Sequence, residues 1–274
     1  MLIRVPDLRV LATLASQGGH ADATGCRRPG EEHVLGTASF AQALALPRRE
    51  TMPMRPLIAA VLAAIQPALC EAARAASMCP LPQQVTLPGT DSKPEGLRMP
   101  EGWGPASEAP PGPPPRFVRL LADLAEGTRV SDDDLHASAA ALIAAVQLLE
   151  MVGCRVEVAC GMAWAQPTLD AETVLEVQVK LKDVGERLVP ERLALGLAHR
   201  AIPQRLMAAV AEQHGCHPGT ASPTELGEPA AADWVAMIER HDHDRLAASV
   251  LEQALRIAVE AGLDIAPEVF RRLV

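Results

Sequence analysis

The chain has 274 residues, a formal net charge of -9 at pH 7 and an isoelectric point near 5.4. It contains three Trp, three Phe and no Tyr, so its surface offers few rings on which nucleic-acid bases could stack. The acidity also disfavours nucleic acid or an anionic membrane as the main partner. The length suffices for one large or two small domains.

Cysteine usage and hydropathy predict a cytoplasmic protein. The six cysteines form no Cys-x-x-Cys pair and accompany no secretory signal, so we expect reduced, mostly buried thiols. The first 14 residues carry Arg4, Asp7 and Arg9 within an apolar pattern, which is unlike a signal peptide. The most apolar run, residues 57–65, is too short to cross a bilayer, and we expect no membrane partner.

Residues 1–79 predict an N-terminal helical arm. Asp7 has the place of an N-cap before apolar residues at helical spacing, and Ser39 has the same place before a second short helix. Residues 56–78 are rich in Ala and predict a longer helix, which Pro67 should interrupt or kink.

Residues 80–115 differ sharply in composition from the segments on either side. Eleven of these 36 residues are proline and five are glycine. This composition predicts a largely disordered linker that becomes a semi-rigid polyproline II segment near its end. The functional alternative is a ligand for a proline-binding module.

The central part of the chain predicts the order strand, helix, strand, strand. Residues 117–123 form a short apolar run that begins after the proline cluster and predicts a buried strand. Ser131 is a predicted N-cap for a helix with three acids in its first turn, and Gly153 stands where a left-handed residue would end that helix. Residues 154–159 and 173–182 alternate apolar and polar side chains, as strands do.

The connections between these elements predict a mixed sheet. A helical connection of about twenty residues is typical of a parallel right-handed crossover, whereas the later loop favours an antiparallel return. We therefore expect an α/β core domain at residues 116–274, with a parallel pair, an antiparallel edge strand and layers of helices. Residues 215–230 predict a loop, and further helices are predicted at residues 190–199, 203–213, 233–240 and 245–261.

A ligand site is expected at the carboxyl end of the first core strand, because ligands of open α/β sheets bind at this edge. The candidate side chains there are Asp123, Glu126 and Thr128. The alternative for Asp123 is a structural role, in which it caps a turn or pairs with a basic residue.

Imidazole and thiol groups cluster in two later stretches and offer a candidate metal site. Zinc takes three or four nitrogen or sulfur ligands in a tetrahedron. The candidate ligands are His214, Cys216, His217, His241 and His243. Their spacing matches no zinc pattern known to us, and solvated polar residues in loops are the simpler interpretation.

Standard enzyme signatures are absent from the sequence. There is no Gly-x-Ser-x-Gly elbow, no phosphate-binding loop of the Gly-x-x-x-x-Gly-Lys type and no Gly-x-Gly-x-x-Gly fingerprint. His199 ends an apolar helix, where a charged imidazole would favour the negative helix end, and a capping or core role is favoured over catalysis. The sequence leaves an enzymatic role open and favours a non-enzymatic one.

Three blocks of sequence carry a resemblance to a known family. They are residues 7–12 with 36–46, residues 140–157, and residues 177–180 with 193–199, Arg205 and Glu212. With these blocks the chain resembles a family of uncharacterised proteins encoded by tailed phages and bacterial prophages. The resemblance implies a von Willebrand factor A-like, Rossmann-type core with no known activity.

The chain departs from the pattern of that resemblance at several positions. In von Willebrand factor A-like domains an Asp-x-Ser-x-Ser loop holds a divalent metal, whereas here Ala125 and Gly127 replace both hydroxyls after Asp123. The resemblance therefore implies a degenerate metal loop. Ser138 and Ala139 stand where it implies Arg-Gly, and Arg200 stands where it implies proline.

Three functional hypotheses follow, in this order. The first is a phage- or prophage-derived accessory protein without a cofactor, which binds a protein partner that is itself encoded by a phage. The second is a metal-dependent hydrolase that uses Asp123 or the cluster from His214 to His243. The third is a phage protein associated with nucleic acid. The oligomeric state is not predicted.

Overall fold

The computed structural model describes residues 1–17, 36–37, 39–48, 54–78, 116–125, 130–167, 172–216, 222–224, 226 and 233–273. The helices of this part, numbered along the chain, are α1 (Leu8–Gln17), α2 (Phe40–Ala45), α3 (Pro56–Ala75), α4 (Asp132–Met151), α5 (Pro190–Ala198), α6 (Ala208–Gln213), α7 (Leu246–Glu260) and α8 (Pro267–Leu273). Its strands are β1 (Leu2–Val5), β2 (Ser77–Met78), β3 (Phe117–Asp123), β4 (Arg155–Pro167), β5 (Glu172–Lys182), β6 (Ser222–Thr224), β7 (Asp233–Met237) and β8 (Leu263–Asp264). Single turns of 3₁₀ helix occur at Leu46–Arg48 and His243–Arg245, and a π-helix occurs at Ile202–Met207.

The main sheet of the described residues has the strand order β1-β5-β4-β3-β7, with β6 as a further partner of β4. β3 pairs in parallel with β4, and β4 pairs antiparallel with β5, so the predicted mixed sheet is confirmed. β5 is not the edge strand that the sequence predicted, because β1 pairs in parallel with its other side. β1 was missed since it is four residues long and its partner lies far along the chain, where local patterns carry no signal.

Helix α4 is the centre of the hydrophobic core. It packs against α3, α5 and α7, and one face of the sheet joins the same core. Its N-cap is Ser131, whose Oγ accepts the N–H of Asp134, and it ends before Gly153, which has φ 91°. Both predicted helix boundaries are confirmed. Each fully buried Leu, Ile or Val side chain of such a core contributes roughly 1.5–3 kcal/mol.

The N-terminal helices start where the sequence predicts. Asp7 Oδ1 accepts the N–H of Val10 at 2.8 Å, and Ser39 Oγ accepts the N–H of Gln42 at 3.2 Å. Helix α3 continues through Pro67, so Pro67 does not interrupt it, and the kink that the sequence offered as the alternative stays a prediction. Pro67 lies on the exposed side of α3, where water can bind the carbonyl that proline leaves without an intrahelical donor.

The first segment of the chain is joined to the rest by both sheet and helix packing. β1 extends the main sheet, α3 packs on α4, and β2 pairs antiparallel with β8. The predicted linker at residues 80–115 lies outside the described residues, so the domain division at residues 79 and 115 stays a prediction.

The largest error of the sequence interpretation concerns β7, which was predicted as a helix at residues 233–240. The structure has a strand there, parallel to β3 with Leu121 opposite Val235. A five-residue apolar run has no period long enough to separate helix from strand. The predicted helices at residues 190–199 and 245–261 are confirmed as α5 and α7, and the segment 203–213 is helical with a π-helical start.

Two helices of the described part, α3 and α4, are long and apolar enough to cross a membrane by length and composition alone. In α4, 78% of the most apolar window is buried inside the protein, against 33% in α3. Core helices of soluble proteins meet the same criterion, so this finding is weak evidence for a membrane span.

Candidate functional site

The carboxyl ends of β3 and β7 meet at one edge of the sheet, which we call the carboxyl edge. From β3 the chain passes through α4 to β4 on one side, whereas β7 lies on the other side of β3. Ligands of α/β proteins usually bind at the carboxyl ends of parallel strands. This edge is therefore the candidate ligand-binding region. We call the region between the start of α4, the segment after β7 and the start of α7 the crevice.

Asp123 is the last residue of β3 and is 1% exposed. Its Oδ1 accepts the N–H of Ala125 at 2.8 Å, and its Oδ2 accepts the N–H of Leu226 at 3.0 Å. The carboxylate therefore ties the turn after β3 to the segment that contains Leu226. Glu126 and Thr128, the other two predicted residues, lie outside the described residues.

Asp134 joins the N-terminus of α4 to the segment after β7. Ser131 donates its hydroxyl to Asp134 Oδ2 at 2.7 Å, and Asp134 Oδ1 accepts the backbone N–H of His241 at 2.8 Å. His243 Nε2 lies 3.2 Å from the same oxygen. Burial by itself would raise the pKa of Asp134, but the hydrogen bonds from His241 and Ser131, together with the nearby His243, outweigh burial and lower it.

A chain of side chains crosses the crevice behind Asp134. His241 Nε2 lies 3.1 Å from Ser138 Oγ, and His241 Nδ1 lies 3.1 Å from Ser249 Oγ. Ser138 Oγ also accepts the N–H of Glu239 at 3.1 Å and lies 3.2 Å from its carbonyl oxygen. The imidazole thus links α4 to α7 through two hydroxyl groups.

One arrangement of protons satisfies this chain completely. Ser249 donates to Nδ1 of His241, and the imidazole donates from Nε2 to Ser138, whose own proton goes to the carbonyl of Glu239. Burial lowers the pKa of His241, although Asp134 and Glu239 act in the opposite direction. We therefore assign His241 as a neutral imidazole protonated at Nε2.

His199 lies near the same end of α4 and is also held neutral. Burial, followed by the charges of Arg55 and His136, lowers the pKa of His199 to about 4. Its Nδ1 accepts the N–H of Ala201 at 3.3 Å. The C-cap position after α5 is as predicted, but a neutral imidazole does not supply the positive charge that the sequence interpretation placed on the helix end.

Arg200 connects the segment after α5 to the start of α4. Its Nε lies 2.6 Å from Asp132 Oδ1, and its guanidinium also donates to the carbonyl of Val130 at 2.6 Å. The arginine therefore fixes the start of α4 against the segment after α5.

The predicted metal ligands are spread over two places. His241 and His243 lie at the carboxyl edge, whereas His214 and the buried Cys216 follow α6. Within the described residues no group of three or more His, Cys, Asp or Glu side chains is placed to hold a metal ion. His217 lies outside the described residues, so the metal site stays a prediction.

Sequence reasoning missed four residues of the crevice: Asp134, Ser138, Ser249 and Gln253. Asp134 carried a capping signal only, and the other three lie inside apolar helix stripes. The interpretation of residues 233–240 as a helix also hid the fact that Glu239 to His243 follow the end of a strand. A correct assignment of β7 would have placed these residues at the carboxyl edge.

The described part of the chain is a mixed α/β protein. Five of its eight buried polar side chains lie at the carboxyl edge of β3 and β7, namely Asp123, Asp134, Ser138, His241 and Gln253. The family model described as a domain of unknown function (DUF7192) matches residues 109–256, which is more than half of the chain, and the protein belongs to this family. The match contains every described residue of the crevice at the carboxyl edge. No curated protein and no solved structure matches the chain.

The family result confirms the resemblance to uncharacterised proteins in its coarse form. It carries no information on phage origin or on a von Willebrand factor A-like core, which stay predictions.

Proposed function

We propose that this protein is a non-enzymatic interaction module of phage or prophage origin, which binds a protein partner at the carboxyl edge. The observation that carries the proposal is the use of Asp123. Its two carboxylate oxygens accept backbone N–H groups from two separate segments, and this loop-holding role supports a function of Asp123 that needs no metal.

The neighbouring polar side chains support the same interpretation. Ser138 and His241 are buried and bond to each other, to Glu239 and to Ser249. A preorganised set of loops on a rigid scaffold is what a binding surface requires. The exposed residues beside this network include Asp133, Asp242 and Asp244.

The first experiment is a set of thermal melts of the wild-type protein and Asp123→Asn in EDTA, Mg²⁺, Mn²⁺ and Zn²⁺. Asparagine keeps one oxygen acceptor but turns an NH₂ group towards a backbone N–H, so we expect a loss of about 1–3 kcal/mol in the free energy of unfolding. We expect the same loss in every buffer and no shift of the wild-type melt with metal. A ligand that binds only the folded state at 100 times its dissociation constant adds about 2.7 kcal/mol, which is easily detected.

Stoichiometric metal in the purified protein, together with a melting temperature that EDTA lowers, would overturn the proposal that Asp123 holds loops and binds no metal. It would support the second candidate, a metal-dependent hydrolase. That candidate is favoured by one observation, the position of His243 Nε2 at 3.2 Å from Asp134 Oδ1 beside the buried His241. A carboxylate and imidazoles at one end of a sheet are ligands that divalent metals accept.

The partner itself is tested by affinity capture with a matched pair of charge reversals. Asp242→Arg with Asp244→Arg changes the exposed carboxyl edge, whereas Glu260→Arg changes an exposed residue at the far end of α7. A protein that the wild type and Glu260→Arg retain and the edge variant loses supports the proposal. Captured proteins that the edge variant retains and Glu260→Arg loses would place the interaction elsewhere and contradict it.

A further inference from the structure

An open basin lies at the other end of the sheet, opposite the carboxyl edge. Its volume is about 480 Å³. One wall is formed by residues 150 and 153–155, where α4 leads into β4, and the other by residues 184–187, which follow β5. We call it the arginine basin, because Arg155 lies on the first wall and Arg187 on the second. Small-molecule sites commonly have volumes of roughly 300–1,000 Å³, so the basin is large enough for a metabolite.

The two carboxylates that line the arginine basin already have their own cations. Glu150 Oε1 lies 2.7 Å from the ammonium of Lys182. Glu186 Oε2 lies 2.9 Å from Nη1 of Arg192, which is outside the lining. Neither carboxylate therefore neutralises an arginine of the basin.

The two guanidinium groups of the basin are left without partners. Arg155 and Arg187 are exposed, and within the described residues their side chains make no hydrogen bond and no ion pair. Two uncompensated positive charges thus face one basin in a chain whose formal net charge is -9. A guanidinium binds carboxylate or phosphate through two parallel N–H bonds, which gives such a contact both strength and orientation.

We propose that the arginine basin binds a small anion, whose carboxylate or phosphate group is held by Arg155 and Arg187. The walls are preorganised for this, because the buried ammonium of Lys182 binds Glu150 on the first wall and the carbonyl of Asp183 at the start of the second. The site lies at the opposite end of the sheet from the proposed partner-binding surface and does not depend on that function.

The first test is an NMR titration of the whole protein with inorganic phosphate and, separately, with citrate. Sodium chloride keeps the ionic strength at about 0.1 M in both series, so that general screening stays constant. We expect saturable shifts of the backbone amides of Gly153 and Gly185, one on each wall, with a common dissociation constant. The exposed Gly215, which follows α6, is the reference and should not shift. Tighter binding of phosphate would indicate a phosphate-bearing ligand, and tighter binding of citrate a carboxylate ligand.

The second test repeats the titration with single variants. Arg155→Gln and Arg187→Gln should each weaken binding at least about tenfold, because each removes charged hydrogen bonds to the anion. Arg240→Gln removes the same charge from an exposed position after β7, at the opposite end of the sheet, and is the matched control. It should change the dissociation constant less than about twofold, since charges more than a Debye length apart are largely screened.

Three results would overturn the proposal. The first is the absence of saturable shifts at Gly153 and Gly185 with both anions. The second is an unchanged dissociation constant in both basin variants, and the third is a loss in Arg240→Gln as large as in the basin variants. The replaced side chains are exposed, so thermal melts should match that of the wild type and show that weaker binding does not come from unfolding.

Discussion

The two ends of β3 and β4 bury charge in different ways. At the carboxyl edge, Asp123 and Asp134 bind backbone N–H groups, and the histidines beside them are held neutral by burial. At the opposite end, Lys182 is a buried cation whose side chain is 1% exposed. Its ammonium lies 2.7 Å from Glu150 Oε1, 2.7 Å from the carbonyl of Val156 and 3.2 Å from that of Asp183.

This difference separates a stabilising contact from a candidate site. An ammonium has three N–H donors, and all three of Lys182 have acceptors, so the group is compensated within the fold. Beside it lies an open basin of about 480 Å³ whose lining includes Glu150, Arg155 and Arg187. At the carboxyl edge, by contrast, groups of altered pKa join several loops at the place where α/β proteins bind ligands.

The largest effect is expected from Lys182→Met. The variant removes the cation but leaves three acceptors without their donor: the partly exposed carboxylate of Glu150, the buried carbonyl of Val156 and the partly buried carbonyl of Asp183. Breaking one partner of a buried ion pair costs about 3–5 kcal/mol. The control is Lys180→Met, which breaks the more exposed ion pairs to Asp183 and Glu157 and should cost about 0–1 kcal/mol. Chemical denaturation measures both, and equal losses would contradict the assignment of Lys182 as the buried stabilising contact.

The next largest effect is a decrease in the free energy of unfolding at acid pH, caused by protonation of His199. Its pKa of about 4 in the folded protein lies below the ordinary value of 6.5, so the unfolded chain binds more protons between these values. Stability should therefore be complete above pH 6.5 and decrease as the pH falls towards 4, by up to about 3 kcal/mol from this residue.

His199→Gln should reduce this loss when the free energy of unfolding is measured at pH 7 and pH 4. The part that remains is expected from His136 and His241, whose pKa values burial also lowers. His214→Gln, which replaces an exposed imidazole after α6, is the matched control for the substitution itself. An identical profile in His199→Gln and the wild type would show that the imidazole is not held neutral by the fold.

Local sequence signals predicted the central part of the fold because each element there is specified by its own residues. Ser131 and Gly153 mark the ends of α4, and the alternation in residues 173–182 marks β5. β1 and β7 carry no comparable signal. Each becomes a strand by pairing with a segment far away in the sequence. Such tertiary contacts decide whether a short apolar run forms a helix or a strand.

The candidate site was predicted only in part for the same reason. Asp123 was found from its position at the carboxyl end of a predicted strand, and its loop-holding bonds agree with the structural alternative that the sequence left open. Its contact with Leu226 joins residues 103 positions apart, and that of Asp134 with His241 joins residues 107 apart. Rules of periodicity and spacing act over a few residues, so they do not predict contacts between residues this far apart in the sequence.

Ser138→Ala is expected to have an intermediate effect. It removes the acceptor for the N–H of Glu239 and the partner of His241 Nε2, both of which lie in the crevice. Leaving buried polar groups unpaired costs about 1–3 kcal/mol. Ser16→Ala, which removes an exposed hydroxyl bonded to the carbonyl of Thr13, is the control and should change the free energy of unfolding by less than about 0.5 kcal/mol. A loss in Ser138→Ala as small as in the control would mean that the serine does not hold the crevice.

The smallest expected effect compares two N-caps. Ser131→Ala and Ser39→Ala each remove a hydroxyl that accepts a backbone N–H, and such changes cost about 1 kcal/mol. Ser131 also donates to Asp134 Oδ2, the carboxylate that binds His241 N–H, so its removal should cost more than that of Ser39. Urea denaturation of both variants, with Ser131→Thr as the variant that keeps the hydroxyl, measures the difference. If the two alanine variants lose the same stability, Ser131 acts as a helix cap alone and Asp134 does not need it to hold the carboxyl edge together.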